Sequence, residues 1–99
     1  MTLTLDCGKF ERAIFRKVRE SGGIHYVFRF PNNYGASVIK FRGSYGYEAD
    51  LWELAVIYFY DGDKYDISYS TPITRDVLGC LNDEAVVDAL EKISQLKDA

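Results

Sequence analysis

Ninety-nine residues, 47% of them apolar, suffice for one modest core, so residues 1–99 are expected to form a single domain. No apolar run approaches the roughly 20 residues of a membrane span, and the opening MTLTLDCGKF lacks the basic and then apolar order of a secretory signal, which points to a cytoplasmic protein. The net charge of -3 is unevenly spread: residues 1–42 carry eight Lys or Arg against three acids, residues 43–99 four against twelve. Such a balance either separates a basic from an acidic face or dissolves into ordinary solvated surface on folding.

Residues 10–21, FERAIFRKVRES, read two ways. Phe10, Ala13, Ile14 and Val18 fit a helical stripe closed by Gly22-Gly23, whereas Ile14, Arg16 and Val18 fit a strand returning through a glycine turn; the strand is favoured. The segment PNNYGAS follows a run of aromatic and branched residues. A two-residue turn at Asn32-Asn33, with Asn tolerating positive φ, pairs Phe30 with Gly35, Phe28 with Ser37, Tyr26 with Ile39 and Ile24 with Phe41. That register sets Ile24, Tyr26, Phe28, Phe30, Ile39 and Phe41 on one face, and His25, Val27, Arg29, Ala36, Val38 and Lys40 on the other.

A second hairpin is expected from LWELAVIYFY, 51–60, through Asp-Gly into YDISYS, with Trp52, Leu54, Val56, Tyr58 and Tyr60 sharing a face with Tyr65, Ile67 and Tyr69. Apolar residues on both faces of 51–60 mark a central strand, and 64–70 lies nearer an edge. Thr74–Gly79 reads as one helical turn capped by Thr74. Asn82 caps a C-terminal helix whose first turn holds Asp83 and Glu84 and whose buried stripe is Val86, Leu90 and Ile93. The expected fold is therefore α+β, an antiparallel meander of four or five strands with a C-terminal helix packed on one face.

Chemistry is sparsely provided. His25 is the sole histidine, expected at the surface, so neither a Cys/His zinc site nor a Ser-His-Asp triad forms without it. Cys7 and Cys80 are expected as free thiols. DGDKYD starts like a calcium loop, but its sixth and twelfth positions are Asp66 and Pro72 in place of Gly and Glu. GSYGY lacks the Lys-Ser/Thr and helix of a phosphate loop. Glu48, Asp50 and Glu53 are close in sequence, yet nothing sets one apart as a buried acid. The eight Tyr and six Phe mostly fall on the expected core face, and the acidic C-terminal half disfavours phosphate, so nucleic acid is not the expected ligand. No metal, cofactor or catalytic residue is assigned.

Taken together, PNNYGASVIKF, GSYGY, LWELAVIYF and YDISYSTPITRDVLGCL before a terminal helix resemble a group of small uncharacterised phage- and prophage-encoded proteins. That group's pattern is F-x-N-G-Y-G-A-S-V, then S-Y-G, L-W-E-L-A-V and T-P-I-T-D-D-V-L-G-Y-L. The resemblance covers residues 26–96, with Asn33 in place of glycine, Arg75 in place of an acid and Cys80 in place of tyrosine. It implies a viral accessory protein in the host cytoplasm and carries no activity. The leading expectation is a non-catalytic module that binds a host or viral protein and blocks a host enzyme or defence complex. Its contact residues are expected to be Tyr45, Tyr47, Glu48 and Asp50 in the long connection 42–51, with Tyr34 second. Tyr34 and that connection lie at opposite ends of strand 35–41, roughly 20 Å apart. Two alternatives stand beside it. One is a small-molecule binder or minor enzyme using Tyr34, Tyr45, Trp52 and Glu53; the other is a self-assembling component whose edge strand 64–70 pairs between copies as a homodimer.

Overall fold

A computed structural model describes residues 2–74 and 76–98. Among these described residues six strands form one sheet: β1 Ile14–Glu20, β2 Gly23–Arg29, β3 Tyr34–Lys40, β4 Trp52–Tyr60, β5 Lys64–Ile67 and β6 Leu78–Leu81. The first five run as an antiparallel meander in chain order, β6 pairs with the early part of β4, and helix α1, Asp83–Ser94, lies on β3 and β4. The α+β meander with a C-terminal helix is thus the fold, enlarged by one strand.

Residues 10–21 divide between the two readings. Gly8–Ala13 is a 3-10 turn that buries Phe10, and the strand begins at Ile14. Ser21 and Gly22, both at positive φ (52° and 74°), close a two-residue hairpin between Glu20 and Gly23, the geometry a type I′ turn needs.

The β2–β3 hairpin differs from its expected register by one residue. Phe28 pairs with Ala36, Tyr26 with Val38 and Ile24 with Lys40. The cause is the loop, which holds Pro31, Asn32 and Asn33: Phe30 N–H bonds the Tyr34 carbonyl, Asn33 N–H bonds the Phe30 carbonyl, and Asn33 alone takes positive φ, 68°. This is the three-residue hairpin with a left-handed third residue, not the two-residue turn. Because side chains alternate with period two, the slip turns Ala36, Val38 and Lys40 inward beside Ile24, Tyr26 and Phe28. Ile39 goes to the opposite face and pairs there with His25, which keeps its expected face but is half-buried rather than exposed.

The β4–β5 hairpin is corrected in the same way. Its loop is Asp61-Gly62-Asp63, so Tyr65 and Ile67 stand opposite Phe59 and Ile57 and leave the face of Trp52, Leu54 and Val56. The strand ends at Ile67, short of the expected 70. Residues 76–79 hold no helical turn: Leu78–Gly79 already belong to β6, and Thr74 Oγ1 accepts from Asp76 N at 3.0 Å. Arg75, part of that expected turn, lies outside the described residues.

Two apolar clusters result. The larger joins the helix face of the sheet to Val86, Ala89, Leu90 and Ile93 of α1, with Trp52, Leu54 and Val56 fully buried. The smaller, Val27, Ile57 and Phe59 with Phe15 and Tyr65, lies on the other face. Phe15 and Phe59 belong to strands separated by two others, yet their ring centroids are 5.4 Å apart. Three strand spacings in a flat sheet would be about 14 Å. The sheet therefore curls toward that face and closes a second small core without a second helix.

Candidate functional site

Asn32 and Asp50 mark the two ends of α1. At the C-terminal end, Asn32 Nδ2 donates to the carbonyls of Ile93 (2.9 Å) and Leu96 (3.0 Å), while its Oδ1 accepts from Tyr34 N (2.9 Å). One buried amide thus closes the hairpin and ties it to the carbonyls of Ile93, in the last turn of the helix, and of Leu96, just beyond it. The stretch PNNYGAS is a structural joint, and this role of Asn32 had no signal in local sequence.

At the N-terminal end, Asn82 caps α1 through Ala85 N, as expected. Beside it Lys40 is 2% exposed, a buried cation brought inward by the hairpin register. Its ammonium donates to the Thr2 carbonyl (2.7 Å) and to Asp50 Oδ1 (2.9 Å) and stands 4.1 Å from the centroid of Trp52. Trp52 Nε1 donates to Asp83 Oδ1 (2.7 Å), and Asp83 Oδ2 accepts from Asp6 N (3.1 Å). The Lys40 hydrogen bond, followed by that from Thr2 N–H, holds the Asp50 carboxyl at about 2, below its ordinary 3.8. Every member has a partner inside the network, so this is a clamp for residues 2–6 rather than an open site.

The 42–51 connection is accordingly divided. Asp50, at φ 61°, belongs to the clamp. Tyr47 is half-buried and opens the 3-10 turn Tyr47–Ala49, while Glu48 is exposed. Tyr45 is 65% exposed, with its backbone fixed by Glu53 Oε1 (2.9 Å) and Cys80 N (3.3 Å). Its Cβ lies so close to Gly79 that a side chain there would collide with it. Tyr45 and Glu48 are presented to solvent together; Tyr34 is at the other end of α1.

Tyr34 has other company. It faces Tyr58 across β3 and β4, and Tyr58 faces Asp66 across β4 and β5. Tyr60 follows, its ring 5.8 Å from that of Tyr58. Tyr34, Tyr58 and Tyr69, with Ile67, Ser68 and Ser70, line a shallow depression of about 500 Å³. Tyr60 (46%), Ile67 (38%) and Tyr69 (55%) are exposed, so among the described residues three of the four exposed large apolar side chains gather at this end. The sequence left them unassigned because the assumed alternation placed Tyr60 and Tyr69 in the core.

Groups suited to chemistry are few. His25 Nε2 and Ser37 Oγ are 2.7 Å apart on the face opposite α1, and burial, then the charge of Arg16, lowers the histidine pKa. Cys7 is buried and hydrogen-bonded to Glu11, and burial raises its thiol to about 11, which leaves it protonated and unreactive near neutral pH. Both cysteines are free, Cys80 being exposed. Among the described residues, no cluster of three or more His, Cys, Asp or Glu is arranged to hold a metal, and no helix is long and apolar enough to cross a membrane. No protein-family model matches the chain, and neither the curated proteins nor the solved structures include one of significant similarity to it.

Proposed function

We propose that the chain is a non-catalytic protein-binding module that engages its partner through the tyrosine surface of Tyr34, Tyr58, Tyr60 and Tyr69. The observation that carries this reading is one shallow depression lined by Tyr34, Tyr58 and the exposed Ile67 and Tyr69, with the exposed Tyr60 ring 5.8 Å from that of Tyr58 at its margin. Tyrosine offers a large contact area at low entropic cost together with a hydroxyl for the wet rim of an interface, and clustered exposed aromatics otherwise carry a solubility penalty. The sequence resemblance to phage- and prophage-encoded proteins supports a viral accessory role, in which such a module blocks a host enzyme or defence complex.

The test is affinity capture from host lysate with the wild-type chain beside a Tyr60→Ala/Tyr69→Ala variant. Both side chains are about half exposed, so the fold survives their removal. A partner retained by the wild type and weakened by on the order of 2 kcal/mol in the variant supports the reading. Equal retention by both chains rejects this surface.

A further inference from the structure

Resting on the reading of the tyrosine surface as a protein contact, we infer that its occupant is an arginine-bearing extended segment of the partner, the guanidinium stacking on Tyr58 against Asp66. Three observations converge. Tyr34, Tyr58 and Asp66 form one cross-strand row, two tyrosines followed by a carboxylate on the same side of the sheet. Asp66 accepts only a local bond from Ile67 N (3.1 Å) and makes no ion pair among the described residues, whereas neighbouring Asp61 and Asp63 are paired with Lys64 and Arg29. Apart from Tyr34, the surface also belongs to the stretch 58–70, which carries Asp61, Asp63 and Asp66 against Lys64, a local balance that favours cations over phosphate.

A cation over an aromatic face gains from the ring quadrupole, and a carboxylate beside the ring fixes it further. The chain already uses this contact, with the Arg29 guanidinium 4.4 Å from the Phe59 ring centroid and bonded to Asp63 at 2.8 Å. Arginine fits the row better than lysine because its plane stacks on a ring while its edge meets a carboxylate in two hydrogen bonds. The free edge of β5 next to the row suits an extended backbone.

The experiment is a titration of the labelled protein, followed by amide and tyrosine-ring NMR shifts, with acetyl-Gly-Arg-Gly-Arg-Gly-amide, its lysine counterpart and a decaproline peptide. Saturable shifts confined to Tyr34, Tyr58, Asp66 and Tyr69, stronger for arginine than for lysine, are expected. Asp66→Asn and Tyr58→Ala should each weaken binding about fivefold or more, while Tyr58→Phe, which keeps the ring, retains it. Unperturbed amide shifts elsewhere establish that each variant is folded. Absence of shifts, equal binding of the lysine peptide, stronger binding of decaproline or indifference to Asp66→Asn overturns the arginine assignment. A partner captured through Tyr60 and Tyr69 but not displaced by the arginine peptide likewise overturns it, and leaves the protein-binding reading standing.

Discussion

Lys40 and Asp50 form an unequal pair: the ammonium is 2% exposed, the carboxylate 42%. Removing one partner therefore has different consequences. Asp50→Ala leaves a cation buried with the Thr2 carbonyl and a ring, while Lys40→Met leaves a carboxylate that water can solvate and places an apolar chain against Trp52. The urea midpoint at neutral pH should fall further for Asp50→Ala than for Lys40→Met. The pair also predicts an acid response. Asp50 has its folded pKa depressed to about 2 from 3.8, so its contribution is present above about pH 4 and is lost as the pH falls toward 2. Asp50→Asn, which tolerates the same positive φ, should be less stable than wild type at pH 7 and converge with it near pH 2 in thermal melts. Equal pH profiles for the two proteins would show that the pair does not form.

At the scale of elements, what was legible followed local pattern. The cap of α1, its buried stripe, the central position of β4 and the strand character of 14–20 all came from spacing and turn chemistry. What failed was counting through turns. Both the β2–β3 and β4–β5 loops hold three residues, and an error of one residue there reverses every face assignment beyond it. Lys40 was lost to view for that reason, and with it the clamp; so was the adjacency of Tyr58 and Asp66. Strand β6 was invisible because Leu-Gly-Cys-Leu has no alternation. Its pairing with β4 shifts register between Trp52 and Leu54, and Cys80 takes positive φ at 58°, the signature of a bulge. The joint at Asn32 can be tested separately from the turn it belongs to. Asn32→Ala removes both donors to α1 and should cost about 2 kcal/mol. Asn33→Gly, at the left-handed position, should change stability by less than about 0.5 kcal/mol. Guanidinium melts that ranked these two variants in the opposite order would place the constraint in the turn backbone instead of the helix end.

At the scale of the whole molecule, the helix runs between Tyr34 and the 42–51 connection, the two places that the sequence reading set roughly 20 Å apart along strand 35–41. Twelve residues of α1 span about 18 Å, close to the length of β3 beneath it, with Asn32 at one end and Lys40 and Asp50 at the other. Tyr34 therefore cannot share one small epitope with Tyr45 and Glu48. The two ends also differ in build. Tyr45 is a single exposed ring on a loop tied to Glu53 and Cys80, whereas the β4–β5 end gathers several rings around a concavity. Interface energy concentrates where a partner side chain can be surrounded and dried, and the depression beside Tyr45, about 360 Å³ and lined mostly by loop residues 43–49, offers less of this than the one of about 500 Å³ among Tyr34, Tyr58 and Tyr69. Tyr45→Ala should consequently leave stability within about 0.5 kcal/mol of wild type and leave partner affinity unchanged by calorimetry. Loss of affinity in Tyr45→Ala with retention in Tyr60→Ala/Tyr69→Ala would move the interface to the 42–51 connection and make the clamp at Lys40 its support.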